Sequence, residues 1–226
     1  MHRPCTLGRF LAGLPTLVFA CILIGNPESV SATSPWYPLN TGAHWIYSDG
    51  TVTLTVEVGN ELVLVGETVH AVEYSITGLS TNQPQAWTWY STIDDDGIVR
   101  HVGCRPESQS AWFEFTPAWA WLSVPPSVGD AWGESELQLI NHLDKDSSPG
   151  SGWYQYSWDQ EGTVTTPAGT FPAFHSSHGW VASMVGLVTF RLPPAYLYPN
   201  ELLLIESSLV VPATDRSWSA LKDRFR

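Results

Sequence analysis

Between Thr51 and Val58 the chain alternates without a break. Val52, Leu54, Val56 and Val58 share one face, and Thr51, Thr53, Thr55 and Glu57 share the other. A period of two built from β-branched residues means a strand with one face in a core and one in water. The pattern recurs along the chain. Gly59-Asn60 reads as a turn, followed by Glu61–Val65, a further Gly, and Val69–Ile76. Ala86–Ile93 places Trp87 and Trp89 on one face, and Asp94-Asp95-Asp96-Gly97 turns the chain into Ile98–Val102. Further strand candidates are Ala111–Thr116, Trp132–Ile140, Tyr154–Trp158, Ala173–His178, Val185–Arg191 and Leu202–Ser208. Leu143–Gly152 reads as an exposed loop and Pro193–Pro199 as irregular. No helical period occurs before residue 213. The expectation is an all-β fold: a curved antiparallel sheet, partial barrel or sandwich.

A short repeat divides this pattern. Pro38-Leu39-Asn40-Thr41-Gly42-Ala43-His44-Trp45 and Pro125-Pro126-Ser127-Val128-Gly129-Asp130-Ala131-Trp132 share Pro, Gly and Trp 87 positions apart. Each copy reads as a turn that feeds a strand, with Trp capping an apolar face. Two similar halves follow, about 36–110 and 111–208, within one β domain over 33–212.

The N-terminus gives an address. His2, Arg3 and Arg9 precede an apolar run from Phe10 to Ile24, then Asn26-Pro27-Glu28 and the small residues of Val30-Ser31-Ala32. That order is a signal peptide over 1–32 with cleavage after Ala32. The run spans about 15 residues, short of the roughly 20 that cross a bilayer. Val18-Phe19-Ala20-Cys21 resembles a lipobox, but Phe19 fits poorly and apolar residues continue beyond Cys21. The expected location is therefore exported: periplasmic, outer-membrane-associated or extracellular. Cleavage leaves Cys104 as the single mature cysteine, which excludes an intramolecular disulfide.

Charge separates body from tail. Residues 33–212 hold four Lys/Arg against nineteen Asp/Glu, a net −15, while 213–226 hold four against two, a net +2. So acidic a body argues against nucleic acid as a partner. In the tail, Pro212 stops the last strand and Thr214 can cap a short helix. Trp218, Leu221 and Phe225 then make an apolar stripe among Arg216, Lys222, Arg224 and Arg226. Such a tail reads as a recognition element for a membrane surface, a sorting receptor or the acidic body, with Trp218, Leu221, Lys222 and Phe225 as its contact residues.

Several of these segments, taken in order, resemble a known group. Tyr37-Pro38-Leu39, Gly42 and Trp45-Ile46-Tyr47 resemble the opening of a family of bacterial secreted and lipoprotein-like β-proteins. Gly129-Asp130-Ala131-Trp132 is similar to its mid-chain copy, Thr166-Pro167-Ala168-Gly169-Thr170-Phe171 to its Pro-Ala-Gly-Thr-Phe turn, and Val185-Gly186-Leu187-Val188 to its late strand. The chain departs from the pattern at Ala182-Ser183-Met184, where the family carries aromatic residues. The resemblance implies an all-β envelope protein and supplies no catalytic residues.

The chemistry-bearing residues are sparse. His175 and His178 are the metal candidates, but in a strand or turn i and i+3 face opposite ways, so no metal and no cofactor is expected. Three adjacent Asp before Gly97 suit a hairpin tip better than a calcium loop, whose ligands alternate. No nucleophile elbow, phosphate loop or zinc-protease motif is present, so no catalytic residue is assigned and an enzyme is not the expectation. Twelve Trp remain to be explained. Trp87, Trp89, Trp119, Trp121, Trp153 and Trp180 are the ligand-binding candidates, and Ala118-Trp119-Ala120-Trp121-Leu122 is either a central strand or the rim of a pocket. The function expected is a non-enzymatic envelope protein that binds a hydrophobic small molecule or a partner protein. The alternatives are a carbohydrate-binding module with exposed Trp, and a hydrolase.

Overall fold

The computed structural model describes residues 34–79, 85–107, 109–110, 112–134, 137–142, 147–150, 154–193 and 196–209. The expected signal peptide over 1–32, Trp153 and the whole tail 213–226, with its expected helix, lie outside them.

The alternating segments form the strands that their period demands. In chain order these are β1 (His44–Ser48), β2 (Thr53–Leu64), β3 (Glu67–Thr77), β4 (Ala86–Ile93), β5 (Ile98–Pro106), β6 (Phe113–Ser123), β7 (Ala131–Glu134) and β8 (Leu137–Asn141). They continue as β9 (Ser147–Gly150), β10 (Tyr154–Ser157), β11 (Gln160–Thr166), β12 (Gly169–Ser176), β13 (Gly179–Ala182), β14 (Gly186–Leu187), β15 (Thr189–Arg191) and β16 (Glu201–Ser207). Every described strand pairing is antiparallel.

Ten strands form one sheet in the order β15-β16-β1-β2-β3-β4-β5-β6-β8-β9. A second sheet runs β11-β12-β13-β14, and among the described residues β7 pairs with β10 alone. Val188, between β14 and β15, ties the two larger sheets. Its N–H donates to the Trp180 carbonyl (2.8 Å), and its carbonyl accepts from the Leu204 N–H (3.0 Å). The result is a curved, open set of sheets rather than a closed barrel. Val52, Leu54, Val56 and Val58 are all buried. They join Trp45, Tyr74, Trp121, Val181, Leu187, Leu202 and Leu204 in one core. A smaller cluster, Val69, Tyr90 and Val102, forms apart from it.

Four expectations are corrected. Gly59-Asn60 is not a turn: β2 runs through it with a bulge between Val58 and Glu61, because an extra residue and a turn call for the same glycine-rich chemistry. The chain reverses instead at Val65-Gly66, both with positive φ (45° and 88°). Trp132–Ile140 is two strands in different sheets, β7 and β8. Within the expected loop 143–152, Ser147–Gly150 pairs as the edge strand β9. Finally, Val185–Arg191 is not one strand: β14 belongs to the four-stranded sheet and β15 to the ten-stranded one. Beyond these, β11 and β13 carry no alternation strong enough to announce them. Ala118–Leu122, by contrast, is strand, inside β6.

The two Pro-Gly-Trp segments fold into the same turn. Ala43 N–H donates to the Asn40 carbonyl (2.9 Å), as Asp130 N–H does to the Ser127 carbonyl (3.0 Å). Gly42 N–H reaches the Val58 carbonyl (2.7 Å), as Gly129 N–H reaches that of Trp158 (2.8 Å). Val58 N–H returns to Ala43 (2.8 Å), as Trp158 N–H returns to Asp130 (3.0 Å). Gly42 and Gly129 sit at φ 82° and 96°, a region that L side chains avoid.

Candidate functional site

Strand register lays a row of polar and aromatic residues across the large sheet. Glu61 stands opposite His70, His70 opposite Ser91, Ser91 opposite His101, and His101 opposite Trp119. Glu61 Oε1 lies 3.3 Å from His70 Nε2. Ser91 Oγ and His101 Nδ1 are hydrogen-bonded at 2.8 Å. Ser91 is 0% exposed and His101 1%. The alternation of β4 that puts Trp87 and Trp89 inward carries Ser91 inward with them.

Aromatic rings enclose His101. Trp89 stacks on it with ring centroids 4.6 Å apart, Trp121 lies at 5.0 Å and Trp119 at 5.5 Å. A second imidazole arrives from the turn between β12 and β13. Ser176 Oγ accepts from the His178 N–H (3.3 Å) and donates to the Gly179 carbonyl (3.5 Å), a serine turn that fixes His178 in place. The His178 ring sits 4.4 Å from Tyr156 and 5.2 Å from Trp121. Tyr156 leads on to Trp132 at 5.9 Å, and Trp132 to Trp158 at 5.0 Å.

Burial sets the charge state of both imidazoles. It pushes His178 down to about 4, against a smaller opposing effect from its backbone hydrogen bond with Trp121. It pushes His101 well below the usual range, with His178 nearby adding to the effect. Both are neutral at pH 7. His178 Nε2 is buried and has no hydrogen-bond partner among the described residues. Each buried polar atom of this kind calls for an explanation, because leaving one unmade costs about 1–3 kcal/mol.

Ser91 and His101 keep the distance of a nucleophile and its base. With Ser91 fully buried, however, no substrate carbonyl can approach its oxygen, and the pair acts to fix the imidazole's orientation. Burial also pushes the Cys104 thiol up to about 12, so it is no thiolate nucleophile at neutral pH.

The cage gathers three of the candidate tryptophans, Trp89, Trp119 and Trp121. Trp87 is elsewhere, stacked on Tyr74 (5.2 Å) and beside Tyr196 (5.6 Å). Trp180 packs by His175 (5.0 Å), whose Nδ1 meets Asp159 Oδ1 at 2.7 Å. His175 and His178 therefore serve different neighbours. No group of three His, Cys, Asp or Glu placed to hold a metal occurs among the described residues. Asp94 organises its own turn: Oδ1 accepts from the N–H groups of Asp96 (3.1 Å) and Ile98 (2.8 Å), and Oδ2 pairs with Arg100 Nε (2.7 Å). Sequence reasoning missed Ser91, His101, Tyr156 and Trp132 as members of the cage. Only the alternation of β4 and β5 pointed inward at the first two.

No family model matches the chain. No curated protein matches it in sequence. Two solved structures are similar in outline. A candidate exported protein with a YmcC-like fold from Bacteroides fragilis is 14% identical, with 77% of this chain and 99% of that chain covered and a TM-score of 0.40. A candidate lipoprotein from Parabacteroides distasonis is 12% identical, with 78% and 99% covered and a TM-score of 0.36. Likenesses at this level assign neither family nor activity.

Proposed function

We propose that this chain is an exported, non-enzymatic β-protein of the bacterial envelope that binds an apolar, ring-bearing small molecule at the aromatic cage. The observation that carries the reading is the set of half-buried aromatic rings that wall two buried, neutral imidazoles. Trp89, Trp119 and Tyr156 are half-buried. They lie within one ring contact of His101 or His178. A few polar atoms set in an aromatic wall are how small-ligand sites fix orientation. No described tryptophan is exposed, which favours this reading over a flat platform for sugar rings. Export rests on the order of charge, apolar run and small residues in 1–32.

The test is a fluorescence titration with an anilinonaphthalene sulfonate dye and then with neutral oligosaccharides. The dye should bind and perturb tryptophan emission, and the oligosaccharides should not. Trp119→Ala should weaken dye binding about tenfold, the loss of roughly 1.4 kcal/mol of contact. Unchanged dye affinity in Trp119→Ala, or a saturable response to glycans alone, would defeat the proposal.

A further inference from the structure

The outer face of the ten-stranded sheet holds an open depression of about 480 Å³. Register builds its floor. Glu57, Glu73, Thr88 and Arg105, which line it, stand opposite one another in turn across β2 to β5, and His44 on β1, just outside it, stands opposite Glu57. Glu57 and Glu73 are thus cross-strand neighbours of like charge, an arrangement that destabilises a sheet. Both are exposed, and neither forms an ion pair among the described residues. Glu206, 3.6 Å from His44, extends the negative strip onto β16. Apolar footing lies alongside: Ile205 is 40% exposed, and Ile46, opposite Glu206, is half-buried.

The chain leaves the described fold beside this strip. His44 N–H donates to Ser208 Oγ (2.9 Å), and Ser208 N–H donates to the His44 carbonyl (3.1 Å). At about 4.8 Å per strand, Ser208 is roughly 10 Å from Glu57 and 14 Å from Glu73. Arg216 follows Leu209 by seven residues, which span up to about 23 Å.

We infer that residues 213–226 dock on this face of their own chain. Arg216, Lys222, Arg224 and Arg226 lie against Glu57, Glu73 and Glu206, while Trp218, Leu221 and Phe225 cover Ile46 and Ile205. Arg105, at the far end, confines the basic segment to the β16–β3 side. Docking neutralises the Glu57–Glu73 repulsion and covers the exposed isoleucine. The surface and its occupant are distinct from the aromatic cage, so either can fail alone.

Lys145 and Lys222 are the only lysines in the sequence, which makes carbodiimide coupling a direct probe of the full mature chain. Lys222 should couple to Glu57, Glu73 or Glu206 within the monomer, with the yield falling about fivefold in 0.5 M salt as screening shortens. Tryptic cleavage after Arg216 should be about tenfold slower than in the free peptide 210–226. The E57Q/E73Q double variant, altered at two exposed positions, should lose that protection while keeping its melting temperature. The inference is overturned if Lys222 couples only to other carboxylates or only between chains. Cleavage as fast as in the free peptide overturns it too, as does protection unchanged in E57Q/E73Q. A tail that is unprotected in solution but partitions onto phosphatidylglycerol vesicles would assign it to the membrane instead.

Discussion

The turn before Trp45 and the turn before Trp132 share their hydrogen bonds and differ in everything around them. Strand β1 is paired on both sides, by β16 and β2, whereas β7 is paired, among the described residues, by β10 alone. Ala43 is buried, and its counterpart Asp130 is exposed. Trp45 Nε1 donates to the carbonyl of Val185, 140 positions away (2.5 Å), and so ties the first strand to the segment between β13 and β14. Trp132 Nε1 donates to the Trp121 carbonyl, 11 positions away (3.0 Å), within the aromatic cage. The same local chemistry makes both turns. Tertiary surroundings decide that one copy braces the main sheet and the other helps build the candidate site.

That contrast predicts unequal costs. Trp45→Ala should destabilise by about 5 kcal/mol and Trp132→Ala by about 3 kcal/mol, the two ends of the range for emptying a buried tryptophan site. Chemical denaturation measures both. Equal losses would mean that the second copy is as central to the frame as the first.

Acid should act on the second copy's surroundings. The folded pKa values of His178 and His101 lie below the unfolded value near 6.5. The unfolded chain therefore binds protons first, and stability falls as pH drops below about 6.5. For His178 the loss continues to about pH 4 and amounts to roughly 3 kcal/mol. Melting curves between pH 7 and 4.5 should show the fall, and His178→Phe should flatten it. A melting temperature that is level down to pH 5 in the wild type would contradict the buried neutral state.

The shared turn itself predicts equality. Gly42→Ala and Gly129→Ala meet no atom within 4 Å, so each carries only the backbone penalty of a left-handed residue, about 1–2 kcal/mol. Paired urea titrations should agree within about 0.5 kcal/mol. A larger gap would show that the two turns are not equivalent.

A third turn marks the boundary of the comparison. Val65 holds φ 45° beside Gly66 in the β2–β3 hairpin and is 53% exposed. A β-branched residue is strained there, and asparagine suits the position. Val65→Asn should stabilise by about 1 kcal/mol in thermal melts. A loss would mean that the Val65 side chain contributes packing.

What the sequence reveals follows from which forces are local. Val52, Leu54, Val56 and Val58 were legible because one period and one buried face determine them. The Asp94–Gly97 turn was legible because the backbone hydrogen bonds that close it, Gly97 N–H to Asp94 and Asp94 N–H to Ile98, lie within five residues. Gly59-Asn60 misled because a bulge and a turn use the same residues. The split of Trp132–Ile140 between two sheets depends on partners far along the chain. The cage was hidden for the same reason. Glu61, His70, Ser91 and His101 become neighbours only through the register of four strands, and His178 joins them from more than 70 positions away.

The most direct test of the account observes His178 while a ligand binds. The side-chain ¹⁵N resonances of the mature chain should be followed during titration with anilinonaphthalene sulfonate at pH 7. The His178 Nε2 signal should start in the neutral range and shift as its unfilled hydrogen bond or its ring neighbours change. His101 should shift with it, while exposed His142 stays unchanged. Saturable dye binding that leaves His178 and His101 unmoved would place the site elsewhere and contradict the account.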